Sequence, residues 1–356
     1  MAIVIGFCVI ARVIPPVYET NDNRIMMNII SGQYGSKYSS YSVFMGYPLS
    51  FLLSKLYILK SNIPWYGIFF CGVIIYSAWT VLREVAYKIK VSEKRVGYVG
   101  IFIILLILYI NIFVCQQFTV IATVLAMTAV YKILKRESWI QITILCFLSY
   151  QVRYMAFFMA VPFIILAILW NGLEEKQSAR VILKSKVLNL GIIVIVIIFG
   201  MVVNKVAYSS EEWKSYDRYN EERALLYDYN AYWNSDAYKE KCLKAGVSDS
   251  EYYITNSYNL LLDNDVSEGT IDRINQIVSN KAQEKPLLRI VKTCYYFIKN
   301  VLIWYIRYTL LMLFLDIIIF AILQSEKKKQ NSFMDIICNR KIFNVILFCL
   351  DCKATE

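Results

Sequence analysis

The amino-acid sequence predicts an all-α, polytopic integral membrane protein with about eight transmembrane helices and a small helical cap on the outer side of the bilayer. Three observations carry that prediction. Of 356 residues, 58% are hydrophobic and 18% charged, with a mean hydropathy of +0.47, against roughly 45–50% and 25% in soluble domains. That excludes a soluble single-core protein. Apolar runs also recur at close to the ~20 residues that a helix needs to cross the hydrocarbon. Finally, Lys and Arg outnumber Asp and Glu by 38 to 27, and in so apolar a chain the excess belongs to cytoplasmic loops rather than to a nucleic-acid surface.

Taken in order, the runs Ala2 to Val17, Ile63 to Leu82, Val96 to Val114, Phe118 to Leu134, Met155 to Trp170, Leu188 to Val206 and Leu302 to Leu323 read as spans. Two more are ambiguous. Trp139 to Tyr150 is short, and Ser42 to Leu59 carries Pro48 and Lys55 among small polar residues, as an interfacial or re-entrant helix does. Charge arbitrates, because short cytoplasmic loops collect Lys and Arg. Arg83, Lys88, Lys90, Lys94 and Arg95 fall in one loop, and Lys132, Lys135 and Arg136 in another. Lys176, Arg180, Lys184 and Lys186 make a third, and Lys327 to Lys329 a fourth. All four face the cytoplasm only if Trp139 to Tyr150 and Met155 to Trp170 form an out-and-back pair while Ser42 to Leu59 stays outside. The N-terminus is then cytoplasmic.

The expected organisation follows: residues 1–206 are a transmembrane module whose first outer loop is 18–62, residues 207–300 an extracytoplasmic cap, residues 301–330 a last span with a basic cytoplasmic end, and residues 331–356 a C-terminal segment. The cap reads as helical. Ser209 precedes Glu212 and Ser248 precedes Glu251 at capping-box spacing, and Thr270 to Val278 repeats apolar residues at helical intervals. The first run lacks a basic n-region and an A-x-A site, so it reads as a retained helix. Both ends read as incomplete, since the chain begins inside its first span and Ile342 to Leu350 is too short to cross.

Histidine is absent, which removes Ser-His triads, Cys-His pairs and His-containing metal sites, so any general base must be a carboxylate. Of the nine cysteines only Cys349 and Cys352 stand at C-x-x-C spacing, and most lie in apolar runs, which supports neither a two-pair zinc site nor a disulfide framework. There is no Walker A motif and no G-x-G-x-x-G after a strand, so nucleotide binding has no support.

What remains is a cluster directly after the first span: Tyr18-Glu19-Thr20-Asn21-Asp22-Asn23-Arg24. Glu19 and Asp22 are three apart and share a face if the chain turns helical there, with Arg24 close by. The plainer reading is a solvated start to a loop. In this loop the chain resembles the C-type polytopic glycosyltransferases, membrane enzymes that take a sugar from a polyprenyl-phosphate donor. They carry an acidic residue or acidic pair in the first outer loop, then interfacial helices, and often a soluble cap. Ile30-Ser31-Gly32-Gln33-Tyr34-Gly35, Pro48 and Ile63-Pro64-Trp65-Tyr66 follow the cluster in the same layout. Where a second acid often stands, this chain has Asn23, which bears on metal binding; a divalent metal is left open and no cofactor is assigned.

The resemblance implies a donor of the polyprenyl-phosphate-linked sugar class, a glycan, lipid or protein acceptor at the cell surface, and a site at the lipid bilayer, without nucleic acid. Asp22 becomes the base that takes the acceptor proton and Glu19 the second candidate. Arg24 and Arg153 become the groups that hold the departing phosphate, as guanidinium does bidentately. Tyr18, Asn21, Arg223 and Asp228 are candidate sugar or acceptor contacts. A snorkelling arginine is the plainer reading of Arg153, and a tyrosine packing stripe the plainer reading of Tyr219 to Tyr229. Arg12, Arg307 and Asp316 interrupt apolar runs, where an ionisable group faces a cavity or a partner. A polymerase of lipid-linked repeats would show arginine-rich outer loops, and a transporter or flippase inverted repeats; neither is present in the sequence.

Overall fold

The computed structural model describes residues 2–35, 37–174, 179–229, 236–257, 268–279, 294–295 and 299. The expected span Leu302 to Leu323, with Arg307 and Asp316, and the segment after it lie outside the described residues, as does Lys176. Among the described residues thirteen α-helices carry the fold, which is all-α. In chain order they are α1 (Ala2–Val13), α2 (Asn21–Ile30), α3 (Tyr47–Leu59), α4 (Trp65–Val91), α5 (Arg95–Val114), α6 (Phe118–Leu134) and α7 (Trp139–Val152). Then come α8 (Tyr154–Glu174), α9 (Ala179–Ala207), α10 (Glu211–Ala224), α11 (Asp236–Lys244), α12 (Asp249–Asn256) and α13 (Glu268–Ser279). Val17–Tyr18 and Cys115–Gln116 are two-residue strands.

Among the described residues, four helices are long and apolar enough to cross a membrane: α4, α5, α8 over Tyr154–Asn171 and α9 over Val187–Ala207. Three other apolar helices among the expected spans, α1, α6 and α7, have 12, 17 and 14 residues. At 1.5 Å per residue they reach roughly 18, 26 and 21 Å, less than the ~30 Å hydrocarbon core. The expected run Ala2 to Val17 ends as a helix at Val13, because Pro15 and Pro16 lack the N–H and hold the preceding residue out of the α region. The ambiguous run Ser42 to Leu59 contains a separate 13-residue helix, α3, with Pro48 in its first turn.

The chain divides into two compact units. The first, described over residues 2–17 and 71–116, packs α1, α5 and most of α4. Phe7 meets Phe113 edge-on at 5.1 Å, and the hydroxyls of Ser77 and Tyr109 bond at 3.0 Å, a polar tie between two apolar helices of the kind that holds helices together in lipid.

The second unit covers Tyr18–Phe70 and Gln117–Tyr295. At its centre α6 packs against α7 and α8, and both lie against α9. Ala122, Ala126 and Ala129 of α6 are buried, small side chains that let backbones approach closely, and Ser149 of α7 donates to the Ala122 carbonyl at 2.7 Å. α3 rests on α7 and α9, and α2 on α3. Where α6 turns into α7, the ammonium of the buried Lys132 is bonded to Glu137 and, at 2.8 Å, to Gln141.

The cap segment in this unit has its own core of Leu226, Tyr238, Cys242, Val247, Tyr252, Ile271 and Ile274. Ile271 and Ile274 are two of the apolar positions expected from the 270–278 periodicity. The expected box at Ser248 and Glu251 forms in full: Ser248 Oγ accepts from the Glu251 N–H at 3.1 Å, and the Glu251 carboxylate accepts from the Ser248 N–H at 2.8 Å. The box expected at Ser209 and Glu212 does not. The N-cap of α10 is Ser210, which accepts from the Trp213 N–H at 3.4 Å, so the helix starts one residue later and Glu212 falls at its second position.

Candidate functional site

The acidic segment is built by a change of backbone. The prolines end α1, Val17–Tyr18 is extended, and α2 begins at Asn21. Glu19 therefore lies outside the helix, exposed, while Asp22 sits half-buried in the first turn, where the positive end of the helix dipole favours a carboxylate. The helical face expected to join Glu19 with Asp22 is not formed, and Arg24, exposed two residues beyond Asp22, points away around the helix. Among the described residues no hydrogen bond or ion pair engages the side chains of Glu19, Asp22 or Arg24.

Asn23 is the opposite case. It is buried, donates from Nδ2 to Thr20 Oγ1 at 3.1 Å and accepts at Oδ1 from the Tyr66 hydroxyl at 3.1 Å. Tyr66 is itself buried, receives Tyr18 edge-on at 5.6 Å, and donates its N–H to the Tyr57 hydroxyl at 3.1 Å. The place where a second acid would stand is thus occupied by a neutral amide that fastens α2 to the start of α4. A carboxylate there could not donate to Thr20. Asn21, the first residue of α2, is exposed.

Arg153 lies at the C-terminal end of α7, half-buried. Its guanidinium stands over the rings of Phe44 at 4.7 Å and Phe118 at 5.3 Å, which stack on each other at 5.6 Å. It makes no side-chain hydrogen bond or ion pair among the described residues. Cation–π contact holds the group in place while its five N–H donors stay available. The segment 42–47, just before α3, forms the wall beside it. Tyr208 donates its hydroxyl to the Ser42 carbonyl at 3.0 Å, Gly46 its N–H to the Gln151 carbonyl at 2.7 Å, and Tyr47 its N–H to Asn204 Oδ1 at 2.9 Å. Burial pushes the Tyr208 hydroxyl well above the usual tyrosine range.

The two candidate cap contacts sit elsewhere. Arg223 donates from Nε and Nη2 to Asn220 at 3.2 and 3.0 Å, and Asp228 is exposed in a π turn, Leu225–Tyr229. Tyr219 and Tyr227 pack on the cap core, the structural role a tyrosine stripe offers most cheaply. Asp22 and Arg153 belong to one unit, on helices linked through α3, and no bond joins their side chains. Among the described residues no group of three or more His, Cys, Asp or Glu gathers as metal ligands would.

Sequence reasoning gave no role to Phe44 and Phe118, which carry the Arg153 guanidinium, or to Asn204 and Gln151, which hold the wall of residues 42–47. Of these Gln151 and Asn204 carry a signal in the sequence, each an amide near the end of a largely apolar run. Comparison with family models, with curated protein sequences and with solved structures returns no match to this chain.

Proposed function

We propose that this chain is a membrane glycosyltransferase that moves a sugar from a polyprenyl-phosphate donor to a glycan, lipid or protein acceptor on the outer side of the membrane. In this reading the shorter helices α1, α6 and α7, together with the run Leu302 to Leu323, complete an eight-span protein with a cytoplasmic N-terminus and the cap outside. The observation that carries it is the pair of uncommitted charges in one unit: a half-buried carboxylate at a helix start, Asp22, and a guanidinium seated on two rings, Arg153.

The chemistry follows from the charges. Asp22 takes the proton of the acceptor hydroxyl as its oxygen forms the bond to the anomeric carbon. The bond from that carbon to the donor phosphate oxygen breaks with its electron pair, and the charge gathers on the phosphate, where guanidinium stabilises it. Arg153 takes that role first and Arg24, on the same helix as Asp22, second. The test is Asp22→Asn in cells whose only copy carries the change, with surface glycan as readout. Protein that inserts normally but loses about 10²-fold or more of its glycan is expected for a lost general base. Near-normal glycan with a severe defect from Glu19→Gln would move the base to Glu19, and no defect from either would replace transfer by transport.

A further inference from the structure

Gln151 combines features that packing alone does not explain. It is buried to 0% exposure, yet neither Nε2 nor Oε1 has a hydrogen-bond partner. Its amide end is wedged between two glycines from distant parts of the chain. A methyl group at Gly46 would overlap Oε1, and one at Gly200 would lie 2.5 Å from Nε2. A buried amide without partners is costly, and an apolar side chain of the same length would fill the space without that cost. Such local costs concentrate at functional sites. Here the cost falls two residues from Arg153, on the side chain of a residue whose backbone carbonyl receives the Gly46 N–H at 2.7 Å.

We propose that Gln151 reads the sugar of the donor whose phosphate Arg153 holds, an inference that rests on the function proposed above. Both ends of the carboxamide are uncommitted, one donor and one acceptor. A phosphate, which only accepts, satisfies one of them; a pair of sugar hydroxyls, which donate and accept, satisfies both. The sugar is the part of the donor next to the phosphate, so a group two residues along the chain from Arg153 stands at the right end of the ligand. The covering backbone at Gly46 carries no side chain, and it is the segment that shifts to let the hydroxyls reach the amide. Donor binding then relieves in the complex the unsatisfied amide of the free protein, and the preference among sugars originates at Gln151.

The experiment uses the full chain, purified into lipid nanodiscs, with two probes: farnesyl phosphate, and farnesyl phosphate bearing glucose, galactose or mannose. Affinity and Tm are measured together. Wild-type protein is expected to bind at least one sugar-bearing probe more tightly than the bare phosphate. Gln151→Met is expected to lose that advantage, about tenfold, to bind farnesyl phosphate as wild type does, and to keep or raise Tm. Arg153→Gln is expected to weaken both probes alike. Should Gln151→Met retain the preference for the sugar-bearing probe, or lose affinity for both probes together with Tm, Gln151 is a packing residue and the inference falls. The same follows if wild type binds the bare phosphate as tightly as every sugar-bearing probe, with the phosphate seat left standing. Failure of wild type to bind either probe removes the donor reading itself.

Discussion

The two ends of α7 handle buried polar groups in opposite ways. At its start, the ammonium of Lys132 is enclosed and bonded to Glu137 and Gln141, which ties α6 to α7. At its end, Arg153 rests on rings and Gln151 lies between glycines, with no bond to either side chain. The same helix therefore carries a polar cluster that stabilises the fold and another that weakens it. In the proposed reading the difference separates structure from function more sharply than residue type does, because both ends contain a cation and an amide.

Mutation at each end tests that separation. Glu137→Ala leaves the Lys132 ammonium buried with one partner fewer, and removing one member of a buried pair costs about 3 kcal/mol. Thermal unfolding in detergent is expected to show that loss. Arg153→Gln gives up only its ring contacts, about 1 kcal/mol or less, while surface glycan collapses. Comparable instability from the two changes would erase the contrast. Asn23 belongs with the committed groups: Asn23→Asp strips the donor to Thr20 and buries a charge, and about 2 kcal/mol of stability should go with it.

The smallest effects belong to the cap, where the Glu251 carboxylate ties helices of the cap to one another. The Ser248 N–H holds the Glu251 carboxyl below the usual carboxylate range, helped by Thr270 and Arg273. A lowered folded-state pKa contributes stability that is fully present above the unfolded value of about 4.3 and disappears as the pH falls through the lower folded value. Protease protection of the cap should therefore weaken on acidification below about pH 4.3, and less so in Glu251→Gln. Ser210→Ala should cost about 1 kcal/mol and Ser209→Ala almost nothing, which fixes the start of α10.

The helices were legible because burial in lipid imposes long apolar runs. The helices α4, α5, α8 and α9 were each expected from such a run, and the α3 region stood out by its Pro48 and Lys55. The shift at α10 was not legible: Ser209 and Ser210 are equivalent caps, and the choice depends on where α9 ends. The prolines that stop α1 at Val13 were visible, but hydropathy carries straight across them. Asp22 and Arg153 were found from charge in a suspicious place. The surroundings of Arg153 were not, because Phe44, Phe118 and Gly200 are remote in sequence and a glycine or phenylalanine in an apolar chain announces nothing. A polar group without a partner is a property of three-dimensional neighbours.

The joint between the cap and the segment before α3 is made of rings. Tyr41 stacks on Trp213 at 5.1 Å and meets Tyr208 edge-on at 5.3 Å, while Trp213 meets Tyr208 at 4.9 Å and Tyr216 at 5.6 Å. Dissolved ions screen charge but not the contact of one ring with another. A cap attached in this way keeps its hold from dilute medium to brine, while the phosphate seat proposed at Arg153, which would work by charge, is expected to weaken as ionic strength rises.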